Sequence, residues 1–190
     1  MLIGATLYAL VFFGNGKEVI SGKDRDDRCG GIELWNIKTL TDPNADEIDE
    51  SDTLLTIKQL IAIDTEVLRQ KKQRLPFEKR VVKVKKVLIR KVILENDNDY
   101  HLVIQDRQGN HMVAEIVDPD CPDAQQSDYI DSYYNVRNTI NRLGNKFMHY
   151  EFEITGTLFL DRAHGQTGMA ANNIEIHPIL SLKATKKLNY

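Results

Sequence analysis

Cysteine is scarce in this chain, with two in 190 residues, Cys29 and Cys121. That excludes a disulfide framework and a structural zinc site built from cysteines alone. It leaves two readings open, a pair of free thiols or one bridge closing a large loop in an oxidising compartment. Aromatic residues make up 7% of the chain, with a single tryptophan, so stacking platforms for bases or sugars are few. No apolar run is long enough to span a bilayer as a helix; the uncharged, mostly apolar stretch Leu2 to Phe13 has about 12 residues where about 20 are needed. That stretch looks like the core of a signal peptide but has no basic segment before it and no small-x-small cleavage site after it. It reads better as a buried strand or hairpin arm turning at Gly14-Asn15-Gly16, which places the protein in the cytoplasm with export as the alternative. Net charge is also small, −3 at neutral pH, which excludes general affinity for polyanions and requires any such contact to come from a local patch.

What is present fits a globular protein: 42% apolar and 28% charged residues, in a length that supports one good core. Thr41-Asp42-Pro43-Asn44 is a turn, because proline presets φ and the Asp and Asn side chains bond nearby backbone. Residues 32–40 alternate weakly around Trp35, which reads as an anchor tying the segment to a core, with a sugar or base contact as the rarer alternative. Leu54, Ile57, Leu60, Ile61 and Leu68 follow helical spacing behind the polar Ser51-Asp52-Thr53, which predicts a helix over about 52–70. Pro76 ends it. Residues 1–76 therefore read as an N-terminal extension and 77–190 as the main unit.

Beyond Pro76 the period changes to that of strands. Residues 79–94 are β-branched with interleaved lysines, Asn96-Asp97-Asn98-Asp99 is a turn, and 100–106 and 111–117 alternate strictly about the hairpin loop Arg107-Gln108-Gly109-Asn110. A helix is predicted from about Ser127, with Tyr133, Tyr134, Arg137 and Ile140 among its inner and bordering positions and Gly144 as its stop. Strands over 150–161 and 174–182 close the chain. Three meandering strands, a helix and two more strands give a mainly β fold with helices (α+β), the layout of the five-stranded OB-fold Greek-key barrel.

Two features carry chemistry. The alternation sends His101, Gln105, Glu115, Glu175 and His177 to the side of the sheet opposite Leu102, Ile104, Ala114, Ile174 and Ile176. Histidine and carboxylate together suit a divalent metal or an imidazole base held by an acid, so His101, Glu115, Glu175 and His177 are the candidate metal ligands. His164, Gln166 and Asp161 fall on the adjoining loop. The plainer reading is a solvated outer face. The second feature is basic: between Arg69 and Lys91 lie eleven of the chain's 25 lysines and arginines, with Glu78 the only acid. Lysines alternating with valines lay a positive stripe along a strand, which attracts phosphate with salt-dependent affinity. They also serve to guard an edge strand.

The segments Cys29-Gly30, Trp35-x-x-Lys38-Thr39-Leu40-Thr41-Asp42-Pro43, Asp99-Tyr100-His101-Leu102-Val103-Ile104, Asp118-Pro119-x-Cys121, His164-Gly165-Gln166-Thr167-Gly168 and Asn173-Ile174-Glu175-Ile176-His177-Pro178 together resemble a family of uncharacterised bacterial proteins. The family carries no established activity. Many of its members look exported with cysteines in matching positions, so the resemblance implies a Cys29–Cys121 bridge.

The sequence points to a non-enzymatic OB-fold-like module for single-stranded nucleic acid or another extended anionic ligand. Arg80, Lys83, Lys85, Lys86, Arg90 and Lys91 would meet phosphate, and His101, Gln105, His164 and Gln166 would supply hydrogen bonds. No cofactor is expected, with a divalent metal as the alternative. One alternative is a metal-assisted, nuclease-like hydrolase using the His/Glu face. The other is an assembly subunit that binds a partner or a second copy through residues 2–13. No spacing matches a P-loop, a zinc knuckle, HExxH or a nucleophile elbow.

Overall fold

The computed structural model describes residues 29–30, 34–65, 73–162 and 165–188. The apolar run 2–13, its turn at 14–16 and His164 lie outside the described residues.

Among the described residues six strands form one sheet: β1 Asp49–Leu54, β2 Arg80–Leu94, β3 Tyr100–Gln105, β4 His111–Ile116, β5 Tyr150–Leu160 and β6 Ile174–Lys187. The order is β1-β2-β3-β4-β6-β5, and a further β2–β5 pairing closes the last five into a barrel. β4 and β6 run parallel while β2–β3, β3–β4, β5–β6 and β2–β5 are antiparallel. This is the OB-fold-like arrangement, with the helix α3 (Ile130–Leu143) between β4 and β5.

Closure depends on β2, whose 15 residues serve two partners. Its first half pairs with β5 from Val81 to Leu88 and its second half with β3 from Leu88 to Leu94. A register shift between Val84 and Val87 puts both Lys85 and Lys86 outward, with Lys86 at φ 58°, and returns Val87 to the interior. Such a bulge bends the strand and sharpens its twist. The core is apolar side chains from every barrel strand, among them Val84, Val87, Ile89, Leu102, Ile104, Met112, Phe152, Ile154 and Ile176, with Val136, Ile140 and Phe147 filling in from α3 and the 3₁₀ turn after it. Gly144 ends α3 at φ 48°. Tyr134, expected on the inner side, is exposed, and Val136 takes the buried place.

The extension differs from its expected form. Residues 52–54, expected to open a helix over about 52–70, belong instead to β1 (Asp49–Leu54), which pairs in parallel with β2 at Arg80 to Lys83, and helix α2 covers only Ile57–Leu60. β2 has an open edge there, before β3 begins, and backbone pairing to that edge outweighs the helical spacing of the side chains. The cap is Thr56, in a capping box with Gln59, not Ser51 or Asp52. Residues 66–72 lie outside the described residues. All six residues of β1 are exposed.

Around Trp35 the weak alternation gives way to the helical turn α1 (Trp35–Lys38), with Trp35 buried. Arg74 is buried and holds this segment to the barrel: it pairs with Asp42 and donates to the carbonyls of Ile37 at 3.1 Å and Glu78 at 3.2 Å. Buried Glu78 in turn accepts the Leu160 N–H at 2.7 Å. Tyr133 of α3 donates its hydroxyl to the Thr39 carbonyl at 2.8 Å. Cys29 and Cys121 form a disulfide across 92 positions of sequence. No helix among the described residues is long and apolar enough to cross a membrane.

Candidate functional site

Alternation on three strands fixes the site. His101 lies opposite Glu115 in the β3–β4 ladder, and β6 lies beside β4 in parallel with Val113 against Glu175, which sets Glu175 and His177 next to Glu115. The outer face there is buried, not solvated: His101, Glu115, Glu175 and His177 are each at most 2% exposed. Two segments cover it. α1 brings Lys38, 3.8 Å from Glu175 and 3.9 Å from Asp161. The β5–β6 loop brings the Thr167 carbonyl to 2.8 Å from His101 Nε2, and Gly168 packs directly on Val103.

Within the cluster, His101 Nδ1 sits 3.1 Å from Glu115 and 3.2 Å from Glu95. His177 Nδ1 faces Glu115 at 2.7 Å and Glu175 at 3.1 Å, and its Nε2 faces Asp99 at 3.4 Å. Asp99 was not foreseen as a member, although it has the same parity as His101 two residues on. It arrives because the turn from Glu95 to Asp99 closes tightly, with Glu95 N–H on the Asp99 carbonyl at 2.9 Å. Lys38 stands in the Trp35–Pro43 segment singled out in the sequence but was not expected at this cluster.

These neighbours set the protonation of the cluster. Burial opposes a charged His177, yet Glu115, Asp99 and Glu175 outweigh it and hold the ring well above its usual pKa. Burial likewise disfavours charge on His101, but Glu115 and Glu95 raise it to about 10. Burial and the charge of Glu115 lift Glu175 to about 7. Asp97 reaches about 7 from burial and the adjacent Asp99. Glu115 goes the other way: burial is overcome by His177, Lys38 and His101, which keep it ionised. Two groups of metal-ligand atoms result, each within 4.8 Å: Glu95, His101 and Glu115, and Asp99, Glu115 and His177.

The basic candidates lie elsewhere. Arg80, Lys85, Lys86 and Arg90 are exposed, and Lys83 and Lys91 are half-buried. Lys83 pairs with Asp52 of β1, Lys85 stands 3.5 Å from Glu153 of β5, and Arg90 donates to Gln105 at 2.8 Å. Gln166 is half-buried beside the cluster. His101, expected to offer a hydrogen bond to ligand, is sealed, with both ring nitrogens engaged. The cationic row continues onto a part the sequence reading left out: Lys183, Lys186 and Lys187 are exposed at the end of β6, across β5 from β2. A cleft of about 280 Å³ lies apart from both features and is lined by Asp46, Glu50 and Asp128 with Leu40, Ile48 and Tyr129, the wrong charge for an anion.

No protein-family model matches the chain, and neither any curated protein nor any solved structure is similar to it. The site is therefore read from its own chemistry.

Proposed function

We propose that the protein is a non-enzymatic barrel module that binds an extended anionic ligand, a single nucleic-acid strand being the best fit, across the outer surface of β2, β5 and β6. The observation that carries this reading is the exposure of Arg80, Lys85, Lys86 and Arg90 on β2 together with Lys183, Lys186 and Lys187 on β6. Between them β5 offers Glu153, which takes up part of Lys85, and Glu151, paired with Arg107. Cations thus outnumber acids on this surface while the whole chain is slightly acidic, a local patch of the kind that net charge requires. Lys83 and Lys91 flank the patch. Gln105, beside Arg90, remains the hydrogen-bonding group closest to it; His101 drops out because it is buried.

The burial of the imidazoles and carboxylates argues against the hydrolase alternative, since a substrate would have to displace α1 to reach them. The Cys29–Cys121 bridge favours the export alternative, because disulfides persist in oxidising compartments.

The test is binding of a labelled single-stranded oligonucleotide at two salt concentrations. Each phosphate neutralised contributes a slope of about 0.7 in the double-logarithmic salt plot, so contacts by four or more of these cations give a fall of roughly twentyfold or more per threefold rise in salt. The triple variant Lys85→Glu/Lys86→Glu/Lys183→Glu is expected to remove binding. An oligonucleotide that fails to bind at low salt refutes the proposal.

A further inference from the structure

The outer-face cluster holds more carboxyl groups than basic ones. Asp99, Glu115, Glu175 and Asp161 are buried there, with Glu95 and Asp97 alongside, against Lys38, His101 and His177 among the described residues. Six carboxyl groups thus meet three basic side chains, and burial with the neighbouring acids raises Glu175 and Asp97 to about 7.

Three buried polar atoms in this cluster also make no hydrogen bond: Asp99 Oδ2, Glu115 Oε2 and His177 Nε2. Their partners on the other side of each group are settled. Asp99 Oδ1 accepts the Asp118 N–H at 2.8 Å, which leaves Oδ2 directed into the cluster. Glu115 Oε1 is held by His101 at 3.1 Å, and His101 is in turn fixed by the Thr167 carbonyl. His177 Nδ1 is hydrogen-bonded to Glu175 Oε1 at 3.1 Å, which is how a carboxylate orients a metal-binding imidazole through the nitrogen that does not bind the metal, while Glu115 Oε2 lies 2.7 Å from that nitrogen outside hydrogen-bond geometry.

The spacing discriminates between a hydrogen bond and a shared ion. His177 Nε2 and Asp99 Oδ2 are 3.4 Å apart. A charged N–H···O bond closes to about 2.7–2.9 Å, whereas two ligands each about 2.1 Å from one tetrahedral ion stand about 3.4 Å apart.

We propose that Asp99, Glu115 and His177 bind a divalent transition cation, His177 through Nε2, Asp99 through Oδ2 and Glu115 through a carboxylate oxygen. One imidazole nitrogen with two carboxylates suits Mn²⁺, Fe²⁺ or Zn²⁺ better than Mg²⁺, which takes oxygen ligands and keeps its water. The ion would tie the starts of β3 and β6 to β4 beneath the extension. This site is separate from the cationic surface and stands or falls independently of it.

The experiment uses the full chain, its metal content measured as purified, then stripped with chelator and melted with Mn²⁺, Zn²⁺ or Mg²⁺ added. Retention of close to one transition ion per chain, or a rise in Tm of several degrees with Mn²⁺ or Zn²⁺ and little with Mg²⁺, is expected. Asp99→Asn, which keeps an oxygen for the Asp118 N–H, and Glu115→Gln should each reduce that rise at least severalfold. Absence of both retained metal and any Tm response in the wild-type protein overturns the proposal, as does a response equal for Mg²⁺ or undiminished in both variants. If the variants do not fold, the wild-type titration decides alone.

Discussion

Lys38 shows how much a single side chain carries here. It stands 3.8 Å from Glu175 and 3.9 Å from Asp161, it lies 5.0 Å over the ring of Phe159, and the surrounding acids raise its pKa despite burial. Removing one partner from a buried ion pair leaves an uncompensated charge, which costs about 3–5 kcal/mol. Lys38→Met, which retains the stem over Phe159, is expected to lower stability by that amount in urea unfolding. A loss below about 1 kcal/mol would mean that Lys38 leaves the cluster easily. The parity of residues 101, 115, 175 and 177 was legible in the sequence because strand alternation is a local property. Lys38 was not, since its place depends on how a segment more than a hundred residues from β6 in sequence folds over the barrel. Asp99 lies between: its parity is local, but its inward turn depends on Asn98 at φ 70°.

Among the elements, the order of strands and helix was readable because each barrel strand has its own run of β-branched residues between turn signals. The segment before Pro76 was not. Leu54, Ile57, Leu60 and Ile61 fit a helical face, yet Leu54 lies exposed on β1 while Ile57 and Leu60 are buried in α2. What decided between strand and helix was an open edge on β2, which no local pattern announces. The β5–β6 pair yields a sharper prediction. Gly156 sits where the register of the pair shifts twice, and a Cβ there would meet the Pro178 carbonyl oxygen, Ile176 Cγ2 at 2.6 Å and the Ile179 Cα at 3.1 Å. Two of those three atoms are backbone and cannot rotate away. Gly156→Ala is therefore expected to cost about 1–3 kcal/mol by overpacking, seen as a Tm lower by about 2–4 °C per kcal/mol. An unchanged Tm would show that β5 and β6 separate here without strain.

At the scale of the whole molecule, the extension and the barrel are one object, joined by Arg74, Lys38, Tyr133 and a covalent bridge. The bridge links positions 92 residues apart, so in the chain-entropy view it removes about 4–5 kcal/mol of freedom from the unfolded state. Cys29→Ser/Cys121→Ala, or simple reduction, should lower the melting temperature by about 8–20 °C at about 2–4 °C per kcal/mol, and calorimetry with and without reductant measures it. A shift of under about 2 °C would mean that the non-covalent contacts alone hold the extension down.

Closing five strands into a barrel still leaves β1 with one side unpaired among the described residues, and the strand is acidic, carrying Asp49, Glu50 and Asp52. Past its brief pairing with β4, the far end of β6 carries Lys183, Lys186 and Lys187. Two molecules meeting acid to acid or base to base repel one another, so these charges discourage symmetric strand-to-strand growth between copies.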